Sequence, residues 1–166
     1  MHLSIEWAGL VLILVAVLGR CWCILYLGGH KGSSLIQLGP YSISRNPLYL
    51  FSILAVAGIG AQSGSLMLGL IMAFFVYAVF NNVIEEEERL LRLVFGVQYD
   101  DYRTRVPRLV PRLGLWKSEE GGLLISVSAL GRTLRDALPY FLALPLFELI
   151  EKGQASGWLP ILIHLP

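Results

Sequence analysis

Two short stretches hold residue types and spacings from which a reactive site could be built. The first is Gly39-Pro40-Tyr41 followed by Arg45-Asn46-Pro47-Leu48-Tyr49. Gly39-Pro40 should bend the chain. Asn46-Pro47 pushes Asn46 out of the α region and lets Pro47 open a helix at its first turn. A helix start leaves backbone N–H groups free, and with the Arg45 guanidinium these suit an anionic group on a small ligand. The second stretch is Glu85-Glu86-Glu87-Glu88. Four adjacent carboxylates cover more than one helical face, so at least one is expected to point inward, where it could hold an amine or another cation. Each stretch also has a plainer explanation: interface-anchoring Arg and Tyr side chains, and a solvated helix extension. Taken singly, those explanations carry the greater weight.

The elements that would position these residues follow from composition and hydropathy. The 166 residues suffice for one domain; 55% are hydrophobic and only 15% charged, with a mean hydropathy of +0.65. Soluble domains run near 25% charged, so this surplus of apolar residues asks for lipid around it. The formal net charge of +1 gives no sign of a nucleic-acid partner. A spanning helix needs ~20 mostly apolar residues. The first candidate runs over about 5–27, interrupted by Arg20, which should snorkel toward an interface. It has no basic n-region and no small-residue cleavage motif, so a retained helix is expected rather than a signal peptide. A second, short candidate covers about 47–62, and a third covers 66–84. Nothing stops the third at its end, and good helix formers over 85–94 should carry it on into solvent.

Lys31 and Arg45 in one connection, and the seven Lys and Arg residues over 85–118, mark both segments as cytoplasmic. The N-terminus and the uncharged 62–65 turn then lie outside. This topology puts Arg45, Tyr49 and the Glu run at one membrane depth, which raises the weight of both stretches together. Toward the C-terminus, 123–136 is mildly amphipathic, 137–150 is apolar but broken by Pro139 and Pro145, and 157–166 is apolar and shorter. Segments of that length suit an interfacial or re-entrant hairpin, with a fourth span as the alternative. The fold class expected is an all-α polytopic membrane bundle: about three full transmembrane helices plus this membrane-associated hairpin over 122–166.

Other signals are weak. Cys21 and Cys23 sit one residue apart in an apolar run and read as buried thiols; no metal site is expected. The glycines near 28–32 lack the dinucleotide-binding spacing. Phe95-Gly96, Tyr99 and Tyr102 look like a helix end followed by a second short helix.

Together these residues resemble the isoprenylcysteine carboxyl methyltransferase family and its phospholipid methyltransferase relatives. That family shows G-[PV]-Y, R-H-P-x-Y, E-E-x-x-L-x-x-x-F-G-x-x-Y-x-x-Y and V-x-R in order. Gly39-Pro40-Tyr41, Arg45 to Tyr49, the Glu run, Leu91, Phe95-Gly96, Tyr99, Tyr102, Val106 and Arg108 follow that pattern within core motifs over 33–111. The resemblance implies a single membrane methyltransferase-like domain with an S-adenosylmethionine pocket. Carried over by position, Ser33, Ser34, Leu35, Ile36, Tyr41, Asn46, Pro47 and Tyr49 would line it. Glu87 would hold the cofactor, with Glu88 as its motif partner. Arg45 and Asn82 are the candidates for a direct part in catalysis.

Three departures from the family pattern matter. Asn46 stands where the family has His and cannot titrate near neutral pH, so it suits positioning and not proton transfer. Phe51 stands where a glycine is expected and should narrow the space near the cofactor. Val83 replaces an Arg expected to handle a substrate carboxylate, leaving Asn81 and Asn82 as polar neighbours. The expected activity is methyl transfer to a lipophilic acceptor entering from the bilayer, in the bacterial inner membrane with the site facing the cytoplasm. The 137–150 and 157–166 segments would form the substrate-side wall or a lid. The alternatives are a scaffold of the same fold without catalysis, and a membrane NADPH-dependent reductase.

Overall fold

The structure, a computed structural model, describes residues 2–27, 34–118 and 125–158. Among the described residues every regular element is helical. They are α1 (His2–Leu27), α2 (Pro40–Ile43), α3 (Pro47–Ala61), α4 (Leu66–Phe95), α5 (Val97–Arg105), α6 (Val127–Phe141) and α7 (Ala143–Ala155), with a 3-10 turn at Leu113–Leu115.

α3 packs between α1 and α4. Small residues set both approaches. A Cβ placed on Gly58 would come within 2.6 Å of the Gly9 carbonyl oxygen, and one on Gly60 within 2.6 Å of the Gly69 Cα. Backbone therefore meets backbone at each crossing, the packing mode expected where lipid removes the hydrophobic drive between helices. Ser65 caps α4 by accepting from the Leu68 amide at 3.3 Å.

α1 and α4 are long and apolar enough to cross a bilayer, whereas α3 has only 15 residues, ~22 Å of rise. Only 11% of the α4 apolar window is buried, so α4 is no soluble core helix. Phe74 and Phe75 are 67% and 69% exposed. A face of this size in water would be an aggregation site; against lipid it is satisfied. Arg20 does not snorkel outward: its Nη1 donates to Ser52 Oγ of α3. A half-buried guanidinium inside an apolar bundle is costly, and the hydroxyl offsets part of that cost.

α4 continues unbroken through the Glu run, as its helix formers predict, and stops at Gly96, whose φ of 52° and ψ of −126° suit only glycine. The chain reverses there into α5. Tyr99 and Tyr102, one turn apart on α5, bury with Val106 against Leu35, Leu91 and Phe95. Beyond them, 106–118 runs as a strap along 39–46. Arg45 N donates to the Pro107 carbonyl (2.9 Å), Arg112 N to Ile43 (2.9 Å) and Gly39 N to Lys117 (2.8 Å).

The C-terminal helices differ from expectation. Pro139 lies inside the last turn of α6, and the break falls at Leu142. Pro145 sits in the first turn of α7, where an amide proton would have no helical partner anyway. α6 packs on α1, burying Thr133 and Ala137, the latter against Ile13 and Val17. The second arm of the expected hairpin, 157–166, lies almost wholly outside the described residues.

Candidate functional site

A cleft of about 880 Å³ opens where α1, the 34–36 segment, α2, α4, α5 and α6 converge. Ile24, Leu27, Leu35, Ile36, Leu91, Val94 and Phe95 give it apolar walls. Its polar lining comes from Ser34, Tyr41, Arg45, Asn46, Glu87, Tyr102, Ser126, Ser128, Arg132, Thr133 and Asp136. Its size matches an ordinary small-molecule site, and its surface is mostly apolar although polar residues make up more than half of the lining.

Glu87 reaches this cleft from the end of α4. Tyr49, in the first turn of α3, donates its hydroxyl to Glu87 Oε2 at 2.7 Å. The Tyr49 ring is itself held edge-on by Phe80, with centroids 5.0 Å apart. Tyr49 thus acts on the cleft through Glu87 and does not line it. Glu88 points to another side of α4. It accepts from Asn46 Nδ2 at 2.9 Å and lies 3.5 Å from Arg45 Nη1. Asn46 spends its second amide hydrogen on the Arg108 carbonyl (3.1 Å). Its amide therefore ties α4 and the strap to the mouth of α3.

Tyr41 is held by the turn at Gly39, whose φ is 57° and whose Cβ, if present, would overlap the Tyr26 ring. Its backbone carbonyl accepts from Tyr102 Oη at 2.7 Å. Its own Oη is buried and has no hydrogen-bond partner among the described residues, and neither has Arg45 Nε. Buried polar atoms are normally paired, so two such atoms on residues lining one cleft mark the places where a polar ligand would bond. Burial pushes the Tyr41 and Tyr102 phenols far above the ordinary tyrosine range, and pushes Tyr99 up to about 12, with the Glu88 carboxylate adding to the effect. All three phenols are neutral at physiological pH and can donate hydrogen bonds.

Of the residues expected at the site, Ser34, Leu35, Ile36, Tyr41, Arg45, Asn46 and Glu87 line the cleft together. Pro47, Tyr49 and Glu88 stand behind it. Asn82 and Val83 are exposed on α4 away from it, and Asn81 bonds Glu85 (3.2 Å). Ser33 lies outside the described residues. Phe51 does not narrow the cleft: its ring occupies the space left by the missing Cβ of Gly19 on α1. The C-terminal part of the lining comes not from the apolar 137–150 segment but from the start of α6 and the Ser126 before it. From sequence this stretch is only a mildly amphipathic one with no expected part in the site, although Ser128, Arg132 and Asp136 recur every four residues and so share one helical face.

The fold and site define a helical membrane domain with an amphiphilic cleft at one end. A family model for phospholipid methyltransferase matches residues 5–98, and the chain belongs to that family. It is 35% identical over 159 residues to the nickel-cobalt-cadmium resistance protein NccN of Alcaligenes xylosoxydans xylosoxydans, covering 95% of this chain and 73% of the relative. It is 35% identical over 136 residues to the cobalt-zinc-cadmium resistance protein CzcN of Cupriavidus metallidurans, covering 82% and 62% respectively. Methanethiol S-methyltransferase 2 of Bradyrhizobium diazoefficiens is 40% identical over 74 residues, 44% of this chain and 27% of that one. No solved structure matches the chain significantly.

Proposed function

We propose that the chain is an S-adenosylmethionine-dependent methyltransferase acting on a lipophilic acceptor at the cytoplasmic membrane face. The observation that carries this reading is Glu87, fixed by Tyr49 at the edge of an apolar-walled cleft whose Tyr41 hydroxyl is buried and unpartnered. The residues present fit the cofactor. Glu87 suits its ammonium, Arg45 its carboxylate, and the Ile24, Leu35, Leu91 and Phe95 side chains its adenine ring. When bound, the cofactor supplies an electrophilic methyl group on a sulfonium.

The chain's own part is positioning and exclusion of water. Alignment of two reactants can lower a barrier by ~7–11 kcal/mol without a proton-transfer group. That agrees with Asn46 standing at the mouth with both amide hydrogens already committed to Glu88 and Arg108. The exposed apolar faces of α1 and α4 would let an acceptor approach from the bilayer, and the α6 wall would close over it.

Isothermal titration of the detergent-solubilised protein with S-adenosylmethionine and S-adenosylhomocysteine tests this. Micromolar binding that Glu87→Ala weakens at least tenfold supports the reading. Absence of binding on well-folded protein overturns it in favour of a non-catalytic scaffold, and NADPH binding in its place would favour a reductase.

A further inference from the structure

A second cleft of about 370 Å³ lies on the other side of the Arg45–Glu88 pair. It is lined by Arg45, Glu85, Glu88, Arg89, Arg92, Arg103 and Arg108, five guanidinium groups against two carboxylates. Part of this charge is already used. Arg89 pairs with Glu86 at 2.6 Å and Arg92 with Asp100 at 2.9 Å, while Arg108 lies 3.6 Å from Glu85. The remainder is not satisfied. Arg103 has no hydrogen bond or ion pair among the described residues. Arg45 is more informative still. Its side chain is only 9% exposed, yet apart from the Nε already counted toward the main cleft, Nη1 makes no hydrogen bond and has only the 3.5 Å ion pair with Glu88. Arg108 Nε is buried and unbonded too. Burying an arginine without bonding its N–H groups is costly, unless a partner outside the chain completes it.

The chemistry that completes such a set is a phosphate. Guanidinium forks bond its oxygens bidentately, and several around one pocket neutralise its charge. The depth of the cleft indicates the source. The apolar part of α4 runs from Leu66 to Ile84, 19 residues counted inclusively, ~28 Å by helical rise and close to the ~30 Å hydrocarbon thickness. Glu85 to Arg92 then fall at the headgroup level. We infer that this cleft is an anion site that takes the phosphate of an anionic lipid headgroup, separate from the methyl-transfer cleft and sharing Arg45 with it. The inference rests on α4 crossing the bilayer and not on the transferase reading.

Thermal unfolding of the full chain in a non-ionic detergent tests it without cofactor or activity. Dihexanoyl phosphatidylglycerol at tenfold its half-saturating concentration should raise the midpoint by about 3–6 °C. Dihexanoyl phosphatidylcholine should raise it by less than half as much. Arg103→Gln should remove at least half of the phosphatidylglycerol shift, while Arg135→Gln, an equal loss of charge outside the cleft, should leave it intact. An equal shift from inorganic phosphate at the same concentration would keep the anion site and assign it a soluble phosphate. The inference is overturned if neither phosphatidylglycerol nor phosphate shifts the midpoint, or if the two variants respond alike.

Discussion

Tyr49 and Glu87, 38 residues apart in sequence, are joined by a 2.7 Å hydrogen bond from the phenol to the carboxylate at the edge of the main cleft. The bond fixes which way the carboxylate faces. Glu87→Ala removes the only glutamate of the four-residue run that lines this cleft. S-adenosylhomocysteine affinity should fall at least tenfold, since bonds to charged groups contribute ~1.5–3 kcal/mol. Tyr49→Phe keeps the ring against Phe80 and removes only the orienting bond, so a smaller loss of a few-fold is expected. Calorimetric titration of both variants checks the order; equal losses would mean that Tyr49 touches the ligand itself.

Phe51 supplies a sharper contrast. Its ring fills the hollow over Gly19 and stays out of the cleft. Phe51→Ala should therefore leave cofactor affinity within about twofold but lower the unfolding midpoint, as large-to-small changes at packed sites cost ~2–5 kcal/mol. Gly58→Val should be destabilising as well, by ~1–3 kcal/mol of overpacking, because Gly9 backbone stands where its Cβ would go. Circular dichroism melts in detergent, beside titration of the same samples, separate the two effects.

Phe51 and the Glu run also indicate how much of this fold the amino-acid sequence specifies locally. Helix identity and the run of α4 through Glu85 to Val94 followed from hydropathy and helix propensity, because those are properties of neighbouring residues. The shared depth of Arg45, Tyr49 and the Glu run followed from one topological inference, whereas Tyr41, Asn46 and Glu87 as lining residues were implied only by the family resemblance. The direction of a side chain around its helix did not follow. Glu87 and Glu88 are adjacent and chemically alike, yet one faces the main cleft and the other faces Arg45. The family pattern implies that Phe51 lies near the cofactor, because neighbouring motif residues do, whereas a glycine 32 positions earlier decides where its ring goes. The role of α6 was hidden for a similar reason. Its contact partner is α1, more than a hundred residues away, and no local pattern records that pairing.

The buried tyrosines predict a stability limit at high pH. Tyr99 titrates at about 12 in the fold, against ~10 in an unfolded chain. A folded pKa above the unfolded one means that the native state holds its proton longer. Its contribution is complete below pH 10 and is lost as pH rises from 10 toward 12. Tyr41 and Tyr102, raised further by burial, add to the same slope. Unfolding midpoints at pH 9, 10, 11 and 12 should fall steadily above 10. Tyr99→Phe, which keeps the packing against Leu91 and Phe95, should fall less steeply. A flat profile in the unsubstituted chain would contradict the burial of these phenols.

The α6 wall is the part of the site that only the fold brings into view, and it can be separated from mere coverage. Arg132 and Asp136 line the cleft one turn apart on α6, while Arg135 is not among the lining residues. Ala137, the neighbour of Asp136, is buried against Ile13 and Val17 of α1 and anchors the helix. If the wall binds ligand, Arg132→Ala should weaken S-adenosylhomocysteine or acceptor binding about tenfold, the usual scale for one charged contact. The unfolding midpoint should stay within a degree, because Arg132 is exposed and makes no ion pair among the described residues. Arg135→Ala should change neither quantity. Ala137→Asp should instead lower the midpoint strongly, since it places a carboxylate against an apolar face. Unchanged affinity in Arg132→Ala, with Ala137→Asp unfolding as expected, would reduce α6 to a cover over the cleft.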